Sequence, residues 1–303
     1  MPFKEYPKIK YLGTTETQGI FNAPGNVVIQ TKVDGANFSF WIDGGILHFG
    51  KHHSDLTDSE ILATSKKGRL KSWNGVEPVM RAWKNCRPSF NDDLIYYGES
   101  MQRHKIQYGD KMPGFIGYDV LNITTGRFLE WRIAKQMFAL IGLPFIRTYG
   151  ELPADEINIE HLEGLYKSSF YYNGPDEGIV IKRYDRLNKY GRSLFAKIVN
   201  DEFKENRRPP EQERPETGDE IEIANYYATP ARIEKQIYKL HDDGAEIDMP
   251  MMRTLFKNVV MDILEENIRD IYTYHKSINF KTLERLVSKK CLEVLKGVIR
   301  EQI

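Results

Sequence analysis

Apolar and polar residues alternate most clearly between residues 26 and 50. Asn26-Val27-Val28-Ile29-Gln30 reads as a buried β run and Phe38-Ser39-Phe40-Trp41-Ile42 as an alternating one. Ile46–Phe49 pairs with the second run through a turn at Asp43-Gly44, a favoured two-residue hairpin loop. Four further strand-like segments carry charge at or near their ends: Ile95-Tyr96-Tyr97-Gly98-Glu99, Phe115-Ile116-Gly117-Tyr118-Asp119-Val120, Asp176-Glu177-Gly178-Ile179-Val180-Ile181-Lys182 and Phe195-Ala196-Lys197-Ile198-Val199. Helical spacing governs residues 74–86 (Val76, Val79, Met80, Trp83) and 131–142 (Ile133, Met137, Phe138, Ile141), with Gly142 and Pro144 stopping the second helix. The pattern predicts an α+β fold with antiparallel sheets.

The texture changes after residue 203. Arg207-Arg208-Pro209-Pro210-Glu211-Gln212-Glu213-Arg214-Pro215-Glu216 is charged and proline-rich and reads as a linker. Helices then fit about 230–242, 250–276 and 281–301. Thr229 caps the first, with Pro230 in its first turn. In the second, Leu255, Val259, Ile263 and Ile268 fall near one face, widened by Val260 and Ile271. Two domains joined by a linker follow: an α+β domain over 1–205, a linker over 206–228 and a small all-α domain over 229–303.

Composition narrows the class. The 303 residues carry 43 basic and 43 acidic side chains, which excludes a histone-like coating protein but leaves room for a local basic groove. Two cysteines, Cys86 and Cys291, are too few for a disulfide framework and fit a reducing cytoplasm. Met1-Pro2-Phe3-Lys4-Glu5-Tyr6 is too polar for a signal peptide, and no apolar run approaches the ~20 residues of a membrane helix.

The candidate chemistry centres on Thr31-Lys32-Val33-Asp34-Gly35-Ala36-Asn37. It places Lys32 at a strand end with a glycine turn behind it, where backbone can approach a phosphate. A lysine amine there can attack phosphorus if nearby positive charge and partial burial hold it deprotonated. The plain alternative is a lysine on a surface hairpin.

Taken in order, the five segments resemble the motif series of the covalent nucleotidyltransferases, the superfamily of DNA ligases, RNA ligases and mRNA capping enzymes. The resemblance covers about residues 25–205. It implies an antiparallel-sheet adenylyltransferase (ATP-grasp-like ligase) domain that uses ATP with Mg2+ or Mn2+. Lys32 would form a lysyl-adenylate, pass AMP to a nucleic-acid 5′-phosphate, and release it when a 3′-hydroxyl attacks. Catalysis of such displacements is mostly positioning and charge neutralisation. The resemblance further implies that Lys182 and Lys197 neutralise phosphate and depress the pKa of Lys32, that Glu177 holds the metal, and that Glu99 faces the nucleoside. It makes Tyr118 the adenine-stacking ring and puts Thr31 and Gly35 beside the nucleotide. Asp34 would position the lysine or a hydrated metal. Asn37 resembles an asparagine of the phage double-strand, nick-sealing RNA ligase branch that serves nucleic-acid steps. That branch also has a helical C-terminal domain, as does this chain, where DNA ligases and capping enzymes have a β-barrel. Tyr108-Gly109-Asp110-Lys111 resembles a further segment of the branch.

Two positions depart from the branch. Val199 stands where a second lysine is expected, leaving phosphate to Lys197 or to a neighbour such as Lys204. Gly50-Lys51-His52-His53 stands where an arginine is expected, with Lys51 or His52 as substitutes. His52-His53 is a poor metal pair, because adjacent strand residues face opposite ways. Lys66-Lys67-Gly68-Arg69-Leu70-Lys71 and Arg207-Arg208 read either as backbone-binding patches or as solvated charge. Phe170-Tyr171-Tyr172 reads as packing rather than base stacking. The leading expectation is a monomeric, cytoplasmic ATP-dependent RNA ligase acting on nicked or paired RNA; if virus-encoded, it would act in the host cytoplasm. The alternatives are a DNA ligase or GTP-using capping-type enzyme without its barrel, and a non-sealing nucleotide- or RNA-binding protein on the same scaffold.

Overall fold

The computed structural model describes all residues except 1–2, 23, 53, 62–72, 102–105, 107, 110–111, 205–217, 276 and 302–303. The lysine-rich run at 66–71, Arg207-Arg208, His53, Asp110 and Lys111 therefore lie outside the described residues. The chain divides into two compact units, Met1–Asn200 and Asp201–Ile303. No described helix is long and apolar enough to cross a membrane.

The first unit is built on two five-stranded sheets. Its strands are β1 (Lys10–Tyr11), β2 (Asn26–Lys32), β3 (Ala36–Asp43), β4 (Ile46–Lys51), β5 (Leu94–Ser100), β6 (Phe115–Asn122), β7 (Arg127–Phe128), β8 (Thr148–Pro153), β9 (Gly178–Leu187) and β10 (Ser193–Val199). One sheet runs β1-β10-β9-β2-β8 and the other β4-β3-β5-β6-β7. All pairings are antiparallel save β1 with β10, which is parallel. Among the described residues, four α-helices lie between strands: α1 (Asp58–Ile61), α2 (Val76–Cys86), α3 (Trp131–Leu140) and α4 (Ile159–Leu165).

Period-two alternation gives each sheet an outer and an inner face. Val27, Ile29, Ile179, Ile181, Leu194 and Ala196 cover the outer face of the first sheet, with Leu162 of α4 packed on them. Phe38, Phe40, Tyr96 and Phe115 cover the outer face of the second, under Val79 of α2 and Phe138 of α3. Phe40 and Tyr96 are cross-strand neighbours whose rings stack at 4.8 Å. Between the sheets sit Trp41, Ile95, Tyr97, Leu121 and Phe195, joined by Tyr6 from the N-terminal segment. The inner faces are thus apolar at one end and carry the polar candidates at the other.

Several sequence expectations shift in detail. The hairpin turn is Gly44-Gly45, one residue later than expected, with φ of 58° and 76°. Asp43 instead pairs with Ile46 as the last rung of the hairpin, and two left-handed residues suit glycine best. Met80 and Ile133, expected on inner helix faces, are 46% and 44% exposed.

The second unit contains α5 (Asp219–Tyr227), α6 (Pro230–Asp242), α7 (Met252–Tyr274) and α8 (Phe280–Glu301). Thr229 accepts the Arg232 N–H at 3.3 Å, capping α6 ahead of Pro230. Helix α5 falls inside the stretch expected to be linker. Its Ile223, Ala224 and Tyr227 are buried with Leu255, Val259 and Ile263 of α7 and Leu283, Val287 and Leu295 of α8. The apolar spacing of these α5 residues, not their charged neighbours, decides their state.

Candidate active site

Strand β2 ends on Lys32, and alternation turns its side chain to the inner face while Thr31 turns outward. Lys32 Nζ donates to Glu177 Oε2 at 2.6 Å; the two side chains are 25% and 14% exposed. Register explains the meeting, since Lys32 pairs with Gly178, the residue after Glu177. Burial opposes the charge on Lys32, yet Glu177, Glu99 and Asp34 together outweigh it and raise the amine's pKa above its ordinary value. This reverses the expected depression by like charge. For Glu177, burial and Asp34 push the carboxyl upward against Lys32 and Lys197, with a net rise.

Gly35 is required by close approach. A Cβ there would lie 2.4 Å from Glu99 Cγ and 2.9 Å from the Ser100 carbonyl. The bare backbone lets the chain cross β5 directly behind Lys32, bringing Glu99 within electrostatic reach of the amine. Asp34 serves its neighbours: Oδ2 accepts the Ile106 N–H at 2.9 Å, and its own N–H donates to the Tyr108 hydroxyl at 2.8 Å. Those bonds fix the segment around Tyr108 to the turn that follows the lysine.

Across the cleft, Asn37 and Glu99 are cross-strand partners on β3 and β5. On β6 the register jumps, because Tyr97 pairs with Asp119 and Gly98 with Gly117. Tyr118 is the extra residue of this β-bulge, so it and Asp119 both turn inward. The Asn37 amide donates to the Tyr118 hydroxyl at 2.6 Å. Asn37 was expected to reach toward a nucleic-acid end; its amide is instead engaged with the aromatic candidate. Burial, with Glu99 and Asp119, holds the Tyr118 phenol well above its ordinary pKa and keeps it neutral.

Lys182 corrects a further expectation. It does not open onto the cleft but is buried, with Nζ 2.7 Å from Asp119 Oδ2 and 5.2 Å from the Tyr118 ring centroid. Burial lowers its pKa and Asp119 offsets part of that. Asp119 also accepts the Tyr6 hydroxyl at 2.5 Å and the Tyr184 hydroxyl at 2.6 Å. The Tyr6 ring meets Tyr118 edge-on at 4.9 Å. This buried polar knot supports Tyr118 from below, and the sequence reading missed its centre. The available signal was Asp119 itself, an acid inside an otherwise apolar strand; nothing in the irregular N-terminal segment announced Tyr6.

Lys197 stays on the inner face, half-buried, with Nζ 4.7 Å from the Tyr11 ring centroid and close enough to Glu177 to favour its charge. The structure thus brings Lys32, Glu177, Lys197, Glu99, Asn37 and Tyr118 to the polar end of one inner space. It turns the Thr31 side chain away from them, buried on the opposite face. Val199 is buried. His52 Nδ1 lies 3.7 Å from Glu5 Oε1. Lys204 pairs with Asp201 in the other unit.

A family model for RNA ligase matches residues 25–199, the stretch that holds every one of these inner-face groups. The chain belongs to the RNA ligase family. Among solved structures, this RNA ligase family member is similar to a Naegleria gruberi RNA ligase mutant with ATP and Mn, at 14% identity over 65% of this chain and 56% of that one (TM-score 0.48). It is similar to the Naegleria gruberi RNA ligase with PPi at 16% identity over 67% and 59% of the two chains (TM-score 0.46). An archaeal ATP-dependent RNA ligase matches at 15% identity over 97% of this chain and 66% of that one (TM-score 0.49). This family member spans less than two thirds of the length of each. No curated protein matches it.

Proposed function

We propose that this member of the RNA ligase family is an ATP-dependent ligase of the nick-sealing branch. It joins a 3′-hydroxyl to a 5′-phosphate in nicked or paired RNA through a lysyl-AMP on Lys32. The observation that carries the reading is the Lys32–Glu177 pair at 2.6 Å, on the inner face that also bears Lys197 and opposite Tyr118 and Glu99. It supplies a nucleophile, a phosphate-neutralising cation and a flat ring in one place.

In the first step Lys32 Nζ gives up a proton and attacks the α-phosphorus of ATP. A P–N bond forms as the bond to the β-phosphate oxygen breaks and pyrophosphate leaves. In the second, a 5′-phosphate oxygen attacks the same phosphorus, the P–N bond breaks, and Lys32 regains its amine. In the third, the 3′-hydroxyl oxygen attacks the 5′-phosphorus, a phosphodiester forms and AMP departs.

The chain's own groups divide this work. Glu177 holds Lys32 in place and protonated until substrate draws it off. Lys197 lends positive charge to the phosphates. Tyr118, fixed by Asn37 at its hydroxyl and by the Asp119 knot beneath, offers its ring to adenine. No three His, Cys, Asp or Glu side chains form a metal cage among the described residues. Magnesium needs only one or two carboxylates besides substrate phosphates, so the donor set at Glu177 fits it. There the ion would neutralise phosphate charge.

The test is to incubate the protein with labelled ATP or GTP and resolve it by denaturing electrophoresis. Nicked duplexes with RNA or DNA on each strand then follow. A covalent AMP adduct and sealing at RNA nicks are expected. Absence of the adduct, or preference for GTP, would defeat the proposal, and sealing confined to DNA would reassign its substrate.

A further inference from the structure

Beside the end of β2 the surface carries an arrangement that the nucleotide chemistry does not use. Arg147 precedes β8, and its carbonyl accepts the Thr31 N–H at 3.0 Å, so its backbone lies next to that of the Lys32 strand. Its own N–H donates to the Tyr171 hydroxyl at 2.9 Å. Tyr171 belongs to the loop between α4 and β9, which is braced against the site from its other end. Ser169 Oγ donates to Asp176 Oδ1 at 2.5 Å and accepts the Tyr171 N–H at 3.0 Å, and Asp176 directly precedes Glu177.

Tyr171 and Tyr172 pack edge-on against Tyr108, as packing residues should. Phe170 meets Tyr171 edge-on at 5.5 Å but stays 67% exposed. The Arg147 guanidinium lies 4.6 Å from its ring centroid and 5.5 Å from that of Tyr149. Arg147 is itself exposed and forms no salt bridge to a described residue. A held guanidinium thus keeps donors for an anion, beside a ring whose surface is mostly open.

A flat, largely open ring and an exposed planar cation match the alternating base and phosphate of a polynucleotide. An acidic peptide would use the guanidinium but has no need of the ring. An apolar protein surface would use the ring but bury the cation at a cost. We propose that Arg147 and Phe170 form a subsite for the RNA strand entering the Lys32 cleft, with Phe170 stacking on a base and Arg147 holding the adjoining phosphate. The inference rests on the ligase reading and deepens it by naming a surface that carries the nucleic acid.

The full-length protein is titrated with a fluorescent nicked RNA duplex over a series of salt concentrations, alongside Arg147→Gln, Phe170→Ala and Phe170→Tyr. Phe170→Ala weakens binding about tenfold and leaves the salt slope intact, while Phe170→Tyr stays within about twofold of the parent. Arg147→Gln reduces the slope of log K against log salt by about one phosphate contact. AMP-adduct formation on the same preparations is unchanged in all three, because neither side chain bonds to Lys32, Glu177 or Tyr118. Parental affinity in Phe170→Ala, an unaltered slope in Arg147→Gln, or a parent that does not bind the duplex each overturns the subsite. A parent that binds RNA as described but forms no AMP adduct overturns the ligase reading and leaves the subsite standing.

Discussion

Lys32 is held by carboxylates, and its reactivity follows from that. Lys32→Ala is expected to keep the fold, with a near-parental melting temperature, and to show no AMP adduct by intact mass. An adduct of normal stoichiometry would remove Lys32 from the mechanism. Glu177→Gln tests the electrostatics separately. Burial lowers the amine's pKa while Glu177, Glu99 and Asp34 raise it further, so losing Glu177 must bring it down. Charged Lys32 contributes stability that is full below the ordinary lysine pKa and is lost as pH rises through the raised value, while on the acid side the pair is lost as Glu177, whose carboxyl pKa is also raised, takes up a proton. Nucleophilicity runs the opposite way. At any given mildly alkaline pH the variant presents more neutral amine, and its labelling by an amine-acylating reagent sets in at lower pH, read site by site with peptide mass spectrometry. An onset at the same or higher pH would contradict the pairing. Asn37→Ala removes one hydrogen bond to Tyr118, worth about 1 kcal/mol, or about fivefold in an equilibrium constant. We expect a higher KM for ATP in adduct formation in addition to slower sealing. A parental KM would return Asn37 to a purely nucleic-acid role. Glu99, Glu177 and Tyr118 stood out only through the resemblance of their segments to the motif series, whereas Lys32 was legible from its place at a strand end before a glycine turn. The burial of Lys182 was not, because a strand pattern does not reveal that the facing sheet offers Asp119 as its partner.

Elements were more legible than contacts. The five helices expected at 74–86, 131–142, 230–242, 250–276 and 281–301 all form, within a few residues. Periodicity weakens where a polar residue occupies a buried line. On α7 the inner line runs Leu255, Val259, Ile263, Asn267, Ile271, and Asn267 accepts from Arg232 Nη2 at 2.9 Å. Reading apolar residues alone selects the neighbouring Ile268, which is 53% exposed. The second sheet depends on an equally silent position. At Gly117 an added Cβ would lie 2.4 Å from the Phe138 ring, so α3 rests directly on the β6 backbone. Gly117→Ala should cost about 1–3 kcal/mol by overpacking and lower the melting temperature measurably. No change would mean that α3 can lift without penalty.

At the scale of the whole molecule, the boundary between units decides where the chain can be cut. Truncation near Ile223 would divide α5 and expose the helical core, whereas a fragment ending at Lys204 keeps the whole first unit. That fragment is expected to form the AMP adduct and to seal nicked RNA poorly, as measured on a pre-adenylylated nick. Parental sealing would assign the helical unit another purpose. The charged run at 207–216 pointed to this break, but charge also concealed α5, whose apolar spacing is too short to stand out against it. The parallel pairing of β1 with β10 has a further consequence. Lys10 and Tyr11 align with Ala196 and Lys197, so the first strand made waits for the last strand of its unit. During synthesis β1 has no strand partner until nearly two hundred residues have been translated, although Tyr6 just before it can meet Tyr118 and Asp119 once β6 is made. The first sheet therefore cannot be completed until β10 is made, whereas the second can assemble once β7 has been translated. That first sheet closes late, and until then its apolar strands are exposed to whatever chaperones attend the nascent chain.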